Sequence, residues 1–128
     1  MNYLLDTCAF LWLATHPEKL SRKAKAVFND PENELWLSDV SVSEIVLKHG
    51  AGKLELQEVP RVWVPSKRST HGLAQLALKE SVLFLSGELP NVHSDPFDRL
   101  LAAQAVENGM TLVSPDTPLS DLGAMRLW

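Results

Sequence analysis

At 128 residues, 45% of them hydrophobic and 22% charged, the chain can bury one real core but not two, so residues 1–128 are expected to form a single domain. No run approaches the roughly 18 consecutive apolar residues of a membrane helix, and MNYLLDTCAF has no basic region ahead of its apolar residues, so a soluble, cytoplasmic protein without a membrane partner is expected. The lone Cys8 excludes an intramolecular disulfide and a Cys-rich zinc site, while a formal charge of −4 argues against coating nucleic acid through a broad basic surface but leaves a nuclease possible.

Residues 2–5 are a short apolar run ending at Asp6, and residues 7–14 stay apolar at helix-compatible spacing, the pattern of a buried strand passing into a helix. Residues 21–28 open on a capping serine and set Ala24, Val27 and Phe28 against Arg22, Lys23 and Lys25, which predicts an amphipathic helix. Residues 34–37 form a second strand closed by Ser38 and Asp39. Val42, Ile45 and Val46 then mark a helical face that carries Glu44 and ends at Gly50 and Gly52.

The middle of the chain is less regular. Pro60 and Pro65 bracket residues 61–64, residues 67–71 are polar, and residues 73–78 suit either a helix or a strand. A short helix is expected over residues 80–86, ahead of Pro90. In HSDPFDRLLAAQA, residues 93–105, Asp95 suits a helix cap and Pro96 a first helical position, where no N–H is needed. Asp98 would then face the positive end of the dipole. Leu100, Leu101, Ala105 and Val106 continue this helix, and Gly109 stops it. Residues 111–113 form a brief strand ended by Ser114, Pro115 and Asp116, and residues 125–128 can add one more. Helices alternating with short, uniformly apolar strands predict an α/β fold with a mostly parallel sheet covered on both faces.

Two of these strands end at an acid, Asp6 after YLL and Asp116 after LVSP, and ligands of open parallel sheets bind beyond the carboxyl ends of the strands. Glu44 and Asp98 lie on helices that can lean over the same edge. Four carboxylates gathered without matching Lys and Arg repel one another, and a divalent cation resolves that repulsion. Hard cations such as Mg²⁺ or Mn²⁺ favour carboxylate and water oxygens, and at such a site would activate water and neutralise the charge gathering on a phosphodiester.

YLLDT, SVSEI, HSDPFDRLLAAQA and LVSPD resemble, in order and spacing, the PIN-domain ribonucleases, and among them the VapC-type toxins of bacterial toxin–antitoxin pairs. The resemblance spans nearly the whole chain. It implies a PIN-like three-layer sandwich with a central sheet of about four to five short strands, an acidic site of Asp6, Glu44, Asp98 and Asp116 for Mg²⁺ or Mn²⁺, an RNA substrate, a cognate antitoxin and a homodimer. Asp95 would be an acid behind the ligands. Thr7 would be the hydroxyl beside the first acid, hydrogen-bonding a carboxylate or a water. The chain departs from the family where many members have a basic residue, at Ser94, and where Thr-Ala often precedes the last acid, at Ser114 and Pro115. Ser114 is still placed, with Thr7 and Asp95, among the residues that support the site.

Several residues have other readings. His93 before a helix orients a neighbour more readily than it catalyses. Lys48 and Arg99 flank the acids as candidate RNA-backbone contacts, Arg99 being the substrate contact of choice, although a solvated charge accounts for each more readily. The four tryptophans suit a core or an interface. An aspartyl-phosphate mechanism is disfavoured, since Thr7 and Cys8 follow Asp6 and no lysine follows Glu80. The remaining alternative is a non-catalytic binding module whose acids only cap helices and turns.

Overall fold

A computed structural model describes residues 1–128. Strands β1 (Asn2–Leu5), β2 (Glu34–Ser38), β3 (Ala74–Leu76), β4 (Thr111–Val113) and β5 (Arg126–Leu127) form one sheet in the order β3-β2-β1-β4-β5. Every pairing is parallel, with Leu5 opposite both Leu37 and Val113. Seven helices cover it: α1 (Thr7–Thr15), α2 (Arg22–Asn29), α3 (Asp39–Gly50), α4 (Pro60–Thr70), α5 (Glu80–Glu88), α6 (Pro96–Asn108) and α7 (Pro118–Asp121).

The absence of polar alternation in the strands has a direct structural cause. Along β1, Tyr3 and Leu5 join a core cluster with Phe10 of α1, Ala24 of α2 and Trp63 of α4, whereas Leu4 joins a second cluster with Leu101 of α6 and Leu119 of α7. Successive side chains point to opposite faces and both faces are roofed by helices, so Tyr3, Leu4 and Leu5 are all apolar and buried. The result is the expected three-layer α/β arrangement, with a sheet that is wholly parallel. No helix is long and apolar enough to cross a membrane.

The ambiguous middle resolves into α4 and β3. Pro60 occupies the first turn of α4, where its missing N–H costs nothing, but Pro65 lies inside the helix. Burial of Trp63 and Val64, each 2% exposed, offsets that interruption, and the Trp63 ring meets Phe10 edge-on at 5.7 Å. Residues 74–76 are a short edge strand and not a helix, because they pair with residues 36–38 of β2. Gly109 terminates α6 at φ 64°, a left-handed conformation that an L side chain rarely adopts.

This topology sets the position of the site. β1 and β4 are adjacent and parallel at the centre of the sheet, so the residues that follow them, including Asp6 and Asp116, emerge at one edge. The Asp6 N–H donates to the Val113 carbonyl at 3.1 Å, extending the β1–β4 pairing to the acid itself.

Candidate functional site

Asp6 is both the residue after β1 and the N-cap of α1. Its Oδ1 accepts the Ala9 N–H at 2.7 Å and its Oδ2 accepts the Ser114 hydroxyl at 2.5 Å. The side chain lies in a residue only 5% exposed. Burial raises its carboxyl pKa to about 6; the Ser114 and Ala9 hydrogen bonds pull it down, and the neighbouring Asp98 and Asp116 charges push it up. The proximity of those charges to a buried carboxylate marks this edge as a place of uncompensated negative charge.

Ser114 ties two of the acids together. While donating to Asp6, its Oγ accepts the Asp116 N–H at 3.0 Å, which sets the turn after β4. Asp98 arrives from the other direction. Asp95 caps α6 by accepting the Phe97 N–H at 2.9 Å and, more weakly, the Asp98 N–H at 3.4 Å. With Pro96 in the first turn, Asp98 projects from the helix start, and His93 Nε2 meets its Oδ2 at 2.8 Å. The Asp98 pKa is raised chiefly by burial, against the His93 hydrogen bond that lowers it; the same bond raises the pKa of His93. Ligand-type atoms of His93, Asp98 and Asp116 lie within 4.8 Å of one another.

Glu44 approaches from α3 and is 8% exposed. Its Oε2 is engaged by Lys48 Nζ, one helical turn later, at 2.6 Å. The structure therefore brings Asp98 and Asp116 together with His93 and couples Asp6 to Asp116 through Ser114. It leaves Glu44 paired with a lysine.

Thr7 and Arg99 both have hydrogen-bond partners within the chain. Thr7 does not bond a carboxylate: its Oγ1 donates to Ser41 Oγ at 3.0 Å, joining α1 to α3, because a side chain at the first position of α1 faces the neighbouring helix. The Arg99 guanidinium is engaged by backbone carbonyls. Its Nη1 donates to the carbonyls of Pro90 and His93 at 2.9 and 3.0 Å, and its Nη2 to those of Ser86 and Leu89 at 2.7 and 3.0 Å. It clamps the α5–α6 connection that carries His93 and Asp95. Ser41 was not singled out from sequence; its only signal was a hydroxyl one turn ahead of Glu44. The carbonyl clamp gave no signal, since its partners carry no side-chain identity.

The donor set suits a divalent ion. His93, Asp98 and Asp116 offer two carboxylates and an imidazole, with the buried Asp6 carboxylate nearby, and the carboxylates match the preference of Mg²⁺ or Mn²⁺ for oxygen ligands.

A family model described as the PIN domain matches residues 3–124. Among curated proteins, none matches the chain in sequence. Solved structures share the fold across their full length. The VapBC2 complex of Rickettsia felis, bound to a DNA fragment from its promoter, has a TM-score of 0.73 at 17% identity, covering 99% of this chain and 98% of that one. VapBC-1 of nontypeable Haemophilus influenzae gives 0.69 at 16% identity, covering 99% and 97%. VapBC-5 of Mycobacterium tuberculosis, a member of the VapBC family of toxin–antitoxin systems, gives 0.60 at 14% identity, covering 98% of each chain. At these identities the likeness establishes the fold.

Proposed function

The chain belongs to the PIN-domain family, and from that premise we propose that it is a metal-dependent endoribonuclease, the toxin of a toxin–antitoxin pair. In this reading residues 1–128 are one catalytic domain, active in the cytoplasm as a homodimer and silenced by a cognate antitoxin that covers the acidic edge. The observation that carries the proposal is the buried Asp6 carboxylate, joined through Ser114 to the turn bearing Asp116 and lying within the field of Asp98. The toxin–antitoxin assignment draws on the shared fold of VapBC proteins and on the ordered acidic motifs.

Asp6, Glu44, Asp98 and Asp116 would hold Mg²⁺ or Mn²⁺. When bound, such an ion supplies Lewis acidity for phosphodiester hydrolysis, favouring deprotonation of water and neutralising charge on the phosphoryl oxygens. The rest is work for the protein. Ser114 fixes the orientation of Asp6 Oδ2, Asp95 sets where α6 begins and so where Asp98 points, and His93 holds Asp98 Oδ2 in place. Burial of Asp6 keeps its charge poorly solvated until a cation arrives, which strengthens the attraction for one.

The test is RNA cleavage by antitoxin-free protein in Mg²⁺ or Mn²⁺, for the wild type and Asp6→Asn. Loss of cleavage in the variant supports the reading; equal activity, or none from either, counts against it. A binding module is the second reading, favoured by the fact that Asp6 and Asp95 do cap helices. Calorimetric titration with Mn²⁺ separates the two, because a capping role predicts no ion binding.

A further inference from the structure

The basic side chains around the acidic edge are mostly committed elsewhere. Arg99 clamps backbone carbonyls, and Arg126 donates to the Ser114 carbonyl at 2.9 Å and the Ser120 hydroxyl at 3.2 Å. His93 is held by Asp98. Lys48 differs in that its one hydrogen-bond partner is Glu44, at 2.6 Å. The two side chains are unequally placed, that of Lys48 being half-exposed and that of Glu44 largely buried. An exposed i,i+4 pair joins two solvated groups. Here a flexible, half-exposed ammonium rests on a buried carboxylate. The acids of α6 reach it as well: the Glu44 hydrogen bond first, then Asp95 and Asp98, hold its pKa above the ordinary lysine value.

A carboxylate oxygen already engaged by an ammonium cannot serve a metal ion on the same lone pair. A divalent ion on Glu44 competes with the Lys48 ammonium for the charge of one carboxylate, of which Lys48 holds only Oε2, and a four-carbon stem lets a displaced ammonium move several ångströms without disturbing α3. Polyanionic RNA brought to this edge offers the released charge a phosphate oxygen, for which a compact ammonium is well suited.

We propose that Lys48 is the phosphate-positioning residue of the cleft, resting on Glu44 in the metal-free protein and passing to the RNA backbone when a divalent ion takes the Glu44 carboxylate. The inference rests on the metal-site reading above and adds a coupling to it: ion binding and RNA binding favour each other through this side chain, reciprocally.

The experiment compares the wild type, Lys48→Met and Lys48→Arg, each verified as folded by circular dichroism. Mn²⁺ affinity is measured by calorimetry. Binding of a short labelled single-stranded RNA is followed by anisotropy across a salt series, in Ca²⁺ and in EDTA, with gels to confirm that the RNA stays intact. Lys48→Met is expected to bind Mn²⁺ several-fold more tightly, since the competing cation is gone. In Ca²⁺ it should bind RNA about tenfold more weakly, with a salt slope smaller by about 0.7, the release expected for one phosphate contact on a single strand. Lys48→Arg should keep the wild-type slope, and in EDTA wild type and Lys48→Met should bind RNA alike. An unchanged slope in Ca²⁺ rules out the phosphate contact, and an unchanged Mn²⁺ affinity rules out the resting position on Glu44. Failure of the wild type itself to bind Mn²⁺ would overturn the metal-site reading and this inference with it, and that failure shows in a separate arm.

Discussion

The Ser114 hydroxyl donates to Asp6 Oδ2 at 2.5 Å although the two residues are 108 positions apart in the chain. The contact exists because β1 and β4 are adjacent and parallel, so the segments that follow them meet at one sheet edge. Through the same oxygen the Asp116 N–H is anchored. One hydroxyl thus sets the orientation of one acid and the backbone position of another.

Ser114→Ala should therefore impair the site more than the fold. Removing one buried hydrogen-bonding group costs about 1–2 kcal/mol of stability. Metal-dependent RNA cleavage should fall by about tenfold or more, because Asp6 loses its orienting donor and the Asp116 turn its acceptor. Paired thermal melts and initial-rate measurements check this, and a variant that melts early yet cleaves at the wild-type rate would contradict it.

Asp6→Asn should stabilise the metal-free protein at neutral pH. The folded-state pKa of about 6 lies above the ordinary carboxyl value of 3.8, so between them the folded chain holds a proton that the unfolded chain has lost. Stability from this group is fully present below the lower value and is lost as pH rises through the upper one. At pH 7 the charged Asp6 costs on the order of 2–3 kcal/mol relative to a neutral isostere, a gap that closes near pH 4. Urea unfolding of both proteins in EDTA at the two pH values reads this directly. Added Mn²⁺ should raise the stability of the wild type and not that of the variant.

Arg99→Ala should loosen the connection between α5 and α6. Its guanidinium bonds the carbonyls of Ser86, Leu89, Pro90 and His93, a spread that no lysine can span. A loss of about 2–3 kcal/mol is expected for breaking a charged, partly buried hydrogen-bond group of this kind. Hydrogen exchange should accelerate over residues 86–95, and Arg99→Lys should rescue little of it. Unaltered exchange there would remove the clamp from the account of how Asp98 is aimed.

Trp63→Ala tests what holds the proline-containing helix in place. The indole is 2% exposed and packs edge-on against Phe10. Its truncation should cost about 3–5 kcal/mol in denaturant unfolding, whereas Trp36, whose Nε1 bonds Asn2 Oδ1 at an exposed position, should matter far less.

Where the signal was local, the chain was readable as a string. β1, β2 and β4 are short apolar runs. Ser21 and Asp95 accept the N–H groups that a helix start leaves free, and Gly109 supplies the left-handed residue that ends α6. In α4, Pro65 argues locally against a helix, and the compensating burial of Trp63 draws on Phe10 of α1, far away in sequence, which local propensity cannot register. β3 is three residues of an edge strand, with Ala74 and Gln75 exposed, so its identity rests on pairing with β2 and not on its own composition.

The acids divide in the same way. Their order, and their position after strands and at helix starts, belong to the sequence, because capping and strand termination are local events. The long-range partners were decided by tertiary structure: Ser114 for Asp6 and Ser41 for Thr7. Even the local pairs, Glu44 with Lys48 and His93 with Asp98, gain their consequence from burial, which comes only when α3 and α6 pack over the sheet. A sequence states which groups can ionise. The packed fold decides how poorly each is solvated and what charge lies beside it, and those two quantities set whether an acid is a surface solubiliser, a helix cap or a ligand.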